Sequence, residues 1–199
     1  MFYRPEAGHG LPHNPWNAII APRPIGWIST RGRQGDNLAP YSFFNATAYV
    51  PPQVMFASTG AKGDRPNTKD TVAQIAEARV FCVNIADAPL AQAMNATSAH
   101  LPAGTNEFAA AGLTPVPCET IDCPRVAEAA ASLECRATRI IRLAGEANHM
   151  VLGVVTGIHL RDNCVVDGRF DLSRTGWLAR MGYRDYAVVT ELFEMERPA

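Results

Sequence analysis

The sequence predicts a mainly β fold with short helices. Its β-branched and aromatic runs are short and are separated by proline and glycine, and helical periodicity is confined to a few brief segments. The sequence does not show strands that alternate regularly with long helices. This favours a barrel or sandwich with a few short helices on its surface. At 199 residues the chain is long enough for one sizeable core, so we expect a single domain over residues 1–199.

The first third of the chain is predicted to consist of strands. An apolar run at 25–30 is followed by the polar, glycine-rich residues 31–37, which favour a turn into a second run at 41–49. A third strand at 53–58 starts after two prolines, because a proline pair cannot continue a central ladder. The first two runs are therefore expected to form a hairpin.

Helical spacing enters the sequence at 69–78, where Val72, Ile75 and Ala76 share one face and Asp70 is placed to cap the start. The near-continuous apolar run 80–85 predicts a buried strand. A second short helix is expected from Asp87.

A third short helix is expected between Asn106 and Gly112, because asparagine caps helix starts and glycine accepts the left-handed turn at helix ends.

The last third again predicts strands. Between 132 and 138, Leu133, Cys135 and Ala137 share one face, whereas Glu134 lies with polar residues on the other. At 148–160 the even positions form an apolar face and the odd positions include His149 and two glycines, which predicts that a backbone or ligand comes close to the odd face. Residues 186–192 are expected to form a closing strand.

Composition limits the classes of function. The net charge of −1 favours neither a nucleic acid nor an anionic membrane as a partner. Five cysteines without C-x-x-C spacing fit neither a disulfide framework nor a zinc ribbon, and the start of the chain lacks a leader pattern, so we expect a cytoplasmic protein. His9 and His13 flank a proline without a nearby third ligand, so no metal site is expected there.

The most informative residues form two adjacent blocks, 22–30 (PRPIGWIST) and 37–45 (NLAPYSFFN). They resemble the signature of the flavin reductase-like FMN-binding split-barrel proteins, in the branch described as flavoprotein oxygenases. The resemblance spans roughly residues 15 to 195 and continues through later segments: 69–71, 81–84, 107–108, 148–149, Gly153, 180–182 and Tyr186.

The resemblance implies an FMN-binding split β-barrel of Greek-key-like connectivity, which holds FMN non-covalently. It also implies a homodimer whose flavin site lies at the subunit interface, with a small-molecule substrate and NADH or NADPH as a possible electron donor. The implied activity is an oxidoreductase that passes electrons to free flavin, oxygen or an organic acceptor. A flavin-dependent oxygenase that uses externally reduced flavin, and a non-catalytic FMN-binding module, are the alternatives.

The resemblance also implies which residues meet the flavin ring. The segment Ser42, Phe43, Phe44 and Asn45 would run along the ring, and Trp27, Ser29 and Thr30 belong to the first block, near the flavin edge or side chain. A flavin ring needs an apolar slot and hydrogen-bond donors, which suits these residue types. Core packing alone is the other interpretation of the two phenylalanines.

The FMN phosphate is expected at the start of the helix predicted at 69–78. Hydroxyls, a cation and free amides at a helix N-terminus bind phosphate, and Lys62 and Arg65 in the preceding loop are additional candidates. A solvated lysine at a helix start is the alternative. The expected phosphate residues are Ser58, Thr59, Lys69, Asp70 and Thr71.

Three residues are predicted to act on substrate or nicotinamide. His149 suits proton donation or substrate orientation, and Arg180 with Tyr183 suits an anionic group. A structural histidine and a surface salt bridge are the alternatives. The cysteines are expected to be dispensable for redox chemistry, because none has a partner at redox-motif spacing and Cys82 and Cys135 lie on apolar strand faces where a thiolate is disfavoured.

Overall fold

The computed structural model describes residues 1–61, 68–102 and 104–198, so the candidates Lys62 and Arg65 lie outside the described residues. The mainly β prediction is confirmed. The strands are β1 Arg23–Pro24, β2 Gly26–Gly32, β3 Gly35–Tyr41, β4 Phe44–Tyr49, β5 Pro52–Ser58, β6 Val80–Ile85, β7 Pro115–Pro117, β8 Pro124–Val126, β9 Ala131–Arg142, β10 His149–Leu160, β11 Val165–Val166, β12 Arg169–Phe170, β13 Leu178–Arg180 and β14 Tyr186–Val188.

The helices are short, as predicted. The α-helices are α1 Trp16–Ile19, α2 Asp70–Ala78, α3 Ala91–Ala96 and α4 Glu107–Ala110, and single 3₁₀ turns lie at Pro5–Ala7, Ala88–Leu90, Asp162–Cys164 and Leu172–Arg174. Within the described ranges, no helix has the length and apolar character needed to span a membrane.

Seven antiparallel strands form the main sheet, in the order β3-β2-β6-β9-β10-β5-β4. The first predicted run forms β2, but its hairpin partner is β3, in register from Gly26↔Tyr41 to Gly32↔Gly35, because the chain turns tightly between these two glycines. The second predicted run, 41–49, mainly forms β4 and pairs with β5, so the expected hairpin of the first two runs is wrong. The two edge strands, β3 and β4, are consecutive in the chain and are joined only by Ser42 and Phe43. The sheet thus curls until its edges meet at this corner without pairing along their length.

Two apolar clusters hold the sheet in this shape. The first fills the inside of the curled sheet, where the rings of Phe56 and Phe81 meet edge to face with centroids 5.6 Å apart. The second lies between the sheet and α3 and α4, and contains the fully buried Trp27 and Phe108. Both clusters bury large side chains whose transfer from water stabilises the fold.

Helix α2 starts at Asp70, its expected cap, so the N-cap lies one residue earlier than predicted. Lys69 occupies the N-cap position without a side-chain capping bond, and Asp70 is the first helical residue, where its charge favours the helix dipole. The second helix differs as well, because residues 88–90 form a 3₁₀ turn before α3 begins. In α4, the Asn106 side chain accepts a hydrogen bond from the amide of Ala109, as expected of an N-cap.

The interior face of β10 is its odd-numbered face. Val151 is fully buried in the first cluster and Val155 packs against it, whereas Ile158 and Leu160 of the even face are exposed. The close approach predicted for the glycines is made by side chains: a Cβ on Gly153 would lie 2.6 Å from Phe81 Cζ. The predicted close approach is thus made mainly by a side chain, and the backbone carbonyl of Arg136 also lies 3.4 Å from that Cβ position.

Two further predictions for the C-terminal third need correction. Glu134 is completely buried although it alternates with the core residues of β9, because it accepts hydrogen bonds from the turn that covers it. The closing strand is only Tyr186–Val188 and pairs with β13 in a separate three-stranded sheet that also contains β1. Residues 190–198 carry no regular secondary structure.

Candidate functional site

The corner between β3 and β4 presents an aromatic ring beside a cation. Ser42 and Phe43 are half-buried, and the carbonyl of Phe43 accepts a hydrogen bond of 2.7 Å from the amide of Ala57 on β5. The guanidinium carbon of Arg23 lies 5.8 Å from the centroid of the Phe43 ring. The corner therefore combines an accessible aromatic side chain with positive charge.

Beneath this corner lies a cluster of hydroxyl groups. The hydroxyls of Ser58 and Thr71 flank that of Tyr41 closely enough to oppose the rise that burial causes in the pKa of Tyr41. The Thr71 hydroxyl accepts a hydrogen bond of 2.9 Å from the Asn37 side chain. Among the described residues, neither the Tyr41 nor the Ser58 hydroxyl has a partner with good hydrogen-bond geometry.

His149 adds a third unpaired polar atom to the same region. It is the first residue of β10 and lies opposite Ser58 of β5, and its Nδ1 is buried without a partner in the described part of the chain. Buried polar atoms without partners are uncommon in native proteins and mark sites where a further polar group binds. Three of them converge on the ends of β3, β5 and β10.

The start of α2 faces this cluster through Thr71. Thr71 lies in the first turn and is buried among the hydroxyls, while Lys69 and Asp70 beside it are half-buried. The free amides of a helix start and a neighbouring lysine favour an anion. The nine-residue α2 thus brings a weakly positive terminus to the edge of the hydroxyl cluster.

A second surface is formed by β13, β14 and α3. A cleft of about 470 Å³ is lined there by Arg180, Arg184 and Tyr186, together with side chains of α3. The Arg180 guanidinium carbon lies 4.5 Å from the centroid of the Tyr186 ring, and the guanidinium donates to the carbonyl of Tyr183. Tyr183 itself has a φ of 52°, and its ring meets that of His13 at a centroid distance of 5.7 Å.

Arg23 connects the two surfaces, and it is not among the site residues that the sequence predicts. It pairs with Arg180 across β1 and β13 and lies over Phe43, and it donates to the carbonyls of Asn17, Ile20 and Met181. Burial, and then repulsion by Arg180, lowers its pKa. Its position between two prolines in the first block was the only signal that pointed to it.

Three expected flavin contacts lie in the protein interior. Trp27, Ser29 and Thr30 have no exposed surface. The Trp27 indole donates to the Thr97 hydroxyl at 2.9 Å, and Ser29 donates to the carbonyl of Pro124 at 2.6 Å. These side chains are buried and already paired within the fold, and their direct contact with a flavin stays a prediction.

Thr30 and Phe44 follow the same pattern. The Thr30 hydroxyl donates to the Gln74 side chain at 2.6 Å, and Phe44 packs in the first apolar cluster against Gly26. For Phe44, the alternative interpretation of core packing applies. Of the remaining residues predicted near the flavin, two are buried and the others are half-buried or exposed: Ser58 and Thr71 are buried, Ser42, Phe43, Lys69, Asp70 and His149 are half-buried, and Asn45 and Thr59 are exposed.

The surface around the β3–β4 corner has the chemistry to hold a planar ring that carries a phosphate. Phe43 supplies an aromatic contact for a ring, and the exposed Asn45 and Thr59 supply hydrogen-bonding groups at the rim. The unpaired hydroxyls of Tyr41 and Ser58 and the start of α2 have the chemistry to bind a phosphate. In the described part of the chain, no group of His, Cys, Asp or Glu side chains is suited to a metal ion.

Comparison with known proteins agrees with this chemistry. The model of the flavin reductase like domain matches residues 20–171. An uncharacterised protein of Deinococcus radiodurans is 36% identical over 191 residues, which covers 90% of this chain and 82% of that protein.

Two solved structures are similar to this chain over nearly its whole length. Nitrilotriacetate monooxygenase component B from Bacillus cereus is 31% identical with a TM-score of 0.84, and the match covers 94% of this chain and all of that one (100%). Pseudomonas fluorescens 2-nitrobenzoate 2-nitroreductase is 27% identical with a TM-score of 0.80, covering 92% of this chain and 88% of that one. The similar structures include split-barrel proteins, so the split-barrel expectation is confirmed.

Proposed function

The chain belongs to the flavin reductase-like family and has a flavin-related role, and from that premise we propose that it is an FMN-dependent oxidoreductase. NADH or NADPH serves as the electron donor, and free flavin, oxygen or a small organic molecule serves as the acceptor. Two of the similar proteins have names that support redox chemistry, one a monooxygenase component and the other a nitroreductase.

The observation that carries the proposal is the convergence of unpaired buried atoms beside an accessible aromatic ring. The Tyr41 and Ser58 hydroxyls and His149 Nδ1 lie beneath the corner that presents Phe43. A core without ligand chemistry would pair such atoms or replace them with apolar groups. Their position below a half-buried ring and beside the start of α2 fits a flavin mononucleotide.

A single phosphate favours FMN over FAD. The start of α2 borders the hydroxyl cluster through Thr71, and the sequence lacks a second nucleotide motif. Lys69 and the first amides of α2 hold the phosphate, Phe43 contacts the ring, and Ser42 and Asn45 bond its polar edge. Bound FMN supplies reversible two-electron chemistry, and the protein supplies binding and orientation.

The cleft beside Arg180 suits the nicotinamide nucleotide or an anionic substrate. Arg180 and Arg184 line it, and arginine binds phosphate and carboxylate groups with paired hydrogen bonds. Arg23 joins this cleft to the Phe43 corner, which brings a donor held there towards the ring. Tyr183 fixes Arg180 through its carbonyl, and His149 orients a substrate at the other end of the site.

An absorption spectrum and a stopped-flow experiment test the proposal. We expect a yellow protein that releases FMN on denaturation and whose flavin absorbance is bleached rapidly by NADH or NADPH without oxygen. A colourless protein that fails to bind added FMN contradicts the proposal. Slow bleaching with activity only from externally reduced flavin indicates an oxygenase, and no turnover with a broad panel of acceptors indicates a non-catalytic module.

We also propose that the protein is a homodimer. Five of the six residues of β4 are exposed, and Tyr49 and Val50 at the tip of the β4–β5 hairpin are 90% and 85% exposed. The even face of β10 adds the exposed Ile158 and Leu160. Exposed large apolar side chains on one sheet are a feature of protein interfaces, and a second copy that covers β4 would lie next to the Phe43 corner, where β4 begins.

A further inference from the structure

Three of the five cysteines meet at the side of the main sheet that is covered by β7 and β8. Cys118 follows β7 and Cys123 precedes β8, so the turn 119–122 lies between them, and Cys82 lies on the central strand β6. Cys82 and Cys123 are buried in one small apolar cluster, and the half-buried Cys118 packs against that cluster. The spacing of these residues in the sequence did not indicate this grouping.

Cys118 and Cys123 lie opposite each other across a hairpin. The last pair of the β7–β8 ladder is Pro117↔Pro124, and the amide of Cys118 donates to the carbonyl of Cys123 at 3.0 Å as the next step of the same ladder. Opposite residues of an antiparallel pair have Cα atoms about 4.5–5.5 Å apart, within the range of about 4.4–6.8 Å that a disulfide spans. The backbone therefore already has the separation that a bridge requires.

The groups around Cys118, the most accessible of the three cysteines, favour the thiolate form of its side chain. The neighbouring thiols of Cys123 and Cys82 hydrogen-bond to Cys118 and lower its pKa, and His159 contributes in the same direction against the opposing charge of Glu134. The hydrogen bond with Cys118, together with burial, raises the pKa of Cys123. Burial raises the pKa of Cys82. One nucleophilic sulfur thus lies beside thiols that stay protonated.

We propose that Cys118 is a peroxide-reactive thiol and that Cys123 resolves its oxidised form as an intramolecular disulfide. The Cys118 sulfur attacks one oxygen of hydrogen peroxide, the O–O bond breaks, and a sulfenic acid and one water form. The Cys123 sulfur then displaces the sulfenic oxygen, so that the S–O bond breaks, the S–S bond forms and the thiol proton leaves in a second water. Two thiols are oxidised and one peroxide is reduced.

Cys123 is a better partner than Cys82 because the hairpin can adjust. Cys82 pairs with Ser29 on one side and Glu134 on the other, in the middle of the main sheet. Cys123 lies in the short β7–β8 hairpin, and besides its contact with Cys118 its thiol makes weak contacts with the carbonyls of Ser29 and Pro124, at 3.2 and 3.5 Å. Rotation of its side chain breaks those contacts without moving a central strand.

Peptide mapping of the oxidised protein tests the proposal directly. The protein as purified is treated with hydrogen peroxide, its remaining free thiols are alkylated, and its peptides are analysed by mass spectrometry without reduction. We expect a Cys118–Cys123 disulfide before any other thiol is modified. An unmodified Cys118, equal reaction of all five cysteines, or a disulfide between Cys118 and Cys82 overturns the proposal. This measurement needs no substitution and is independent of the proposed flavin activity.

Three variants separate the two roles. Cys118→Ser should slow thiol loss in peroxide at least about tenfold, because the reactive sulfur is absent. Cys123→Ser should leave a sulfenic acid on Cys118 that dimedone traps, because no thiol resolves it. The matched control is Cys164→Ser, a buried cysteine outside the cluster, and its oxidation should equal that of the natural sequence. Loss of the sulfenic adduct in Cys123→Ser would also overturn the assignment.

Discussion

A substitution of Lys69 tests whether this residue binds the FMN phosphate or only supports the fold. If Lys69 and the start of α2 hold the FMN phosphate, Lys69→Ala should weaken FMN binding by about 1–3 kcal/mol, the range of a charge-assisted hydrogen bond. Riboflavin lacks the phosphate and should bind almost unchanged. Isothermal titration of the apoprotein with both ligands measures the difference.

Arg33→Ala is the matched control for this measurement. Arg33 is a cation paired with Glu77 in the last turn of α2, far along the helix from the expected phosphate, so its removal should affect neither ligand. An equal loss for FMN and riboflavin in Lys69→Ala would show that Lys69 supports the ring pocket or the fold. Unchanged FMN binding would place the phosphate elsewhere.

Thr71 was expected to bind the phosphate directly, and its burial changes that expectation. Its hydroxyl accepts from Asn37 inside the protein and is 1% exposed. Thr71→Ala should therefore lower the stability of the apoprotein by about 0.5–1.5 kcal/mol, the usual contribution of one hydrogen bond. Any loss of affinity that follows should be equal for FMN and riboflavin.

The buried carboxylate of Glu134 should make stability depend on pH. Burial alone would raise its pKa, but hydrogen bonds from the Thr120 hydroxyl, the amides of Glu119 and Thr120 and the His159 ring outweigh it and lower the pKa to about 2. Because the folded pKa lies below the ordinary value of 4.5, the stabilisation is complete above pH 4.5 and is lost as the pH falls towards 2. The shift corresponds to about 3 kcal/mol.

Glu134→Gln measures this contribution. At pH 7 the variant should lose about 2–4 kcal/mol of unfolding free energy, because the amide cannot accept all the bonds that the carboxylate accepts. Urea titrations between pH 7 and pH 3 should show the difference from the natural sequence shrinking below pH 4.5. Glu119→Gln makes the same change on the adjacent exposed carboxylate and should cost almost nothing. A difference that stays constant with pH would refute the assigned linkage.

At the scale of elements, the path of β10 depends on one glycine. A Cβ at Gly153 would lie 2.6 Å from the Phe81 ring and 3.4 Å from the carbonyl of Arg136, so Gly153→Ala must displace a fully buried aromatic side chain. We expect a loss of about 1–3 kcal/mol in unfolding free energy, the usual cost of overpacking. Chemical denaturation provides the measurement.

A double variant identifies the cause of that loss. Phe81→Leu shortens the side chain that Gly153 accommodates, so adding Gly153→Ala to Phe81→Leu should cost less than adding it to the natural sequence. Equal costs in the two backgrounds would mean that the ring is not the obstacle. The comparison also distinguishes a packing role of Gly153 from a role in ligand access.

At the scale of the molecule, the exposed face of β10 tests the proposed dimer. Light scattering after size exclusion should give twice the chain mass for the natural sequence. Ile158→Asp should shift the protein towards monomer, because a charge would be buried without a partner in the interface. Val165→Asp, a similar change at another partly exposed aliphatic residue, should leave the dimer intact.

The dimer experiment can also contradict the proposed interface. If the protein with the natural sequence is monomeric at micromolar concentration, the proposal of a homodimer is wrong. A dimer that survives Ile158→Asp would move the interface from β10 to another exposed surface, such as the tip of the β4–β5 hairpin. In that case Tyr49→Asp, at a residue 90% exposed, should dissociate it instead.

Local sequence patterns were enough to predict most of the secondary structure and to identify the family. The apolar run at 80–85 and the helical spacing before it depend on neighbours in sequence, and both were predicted close to their observed bounds. The turn between β2 and β3 is tighter than the predicted 31–37, because pairing of the two strands continues to Gly32 and Gly35. The blocks at 22–30 and 37–45 indicated the split barrel because their residue order is itself characteristic. In these regions, local preference and tertiary packing agree.

The sequence by itself determined the class of fold, the family and the surface where a flavin is expected, and only the tertiary structure decided which side chains reach that surface. Alternation along a strand divides residues between two faces but does not say which face meets the core, so Trp27, Ser29 and Glu134 proved to be interior. The meeting of Cys118 with Cys82, and of Tyr41 with Ser58, depends on strands distant in sequence. Such contacts exist only after the sheet has curled, because pairing and burial are properties of the whole chain.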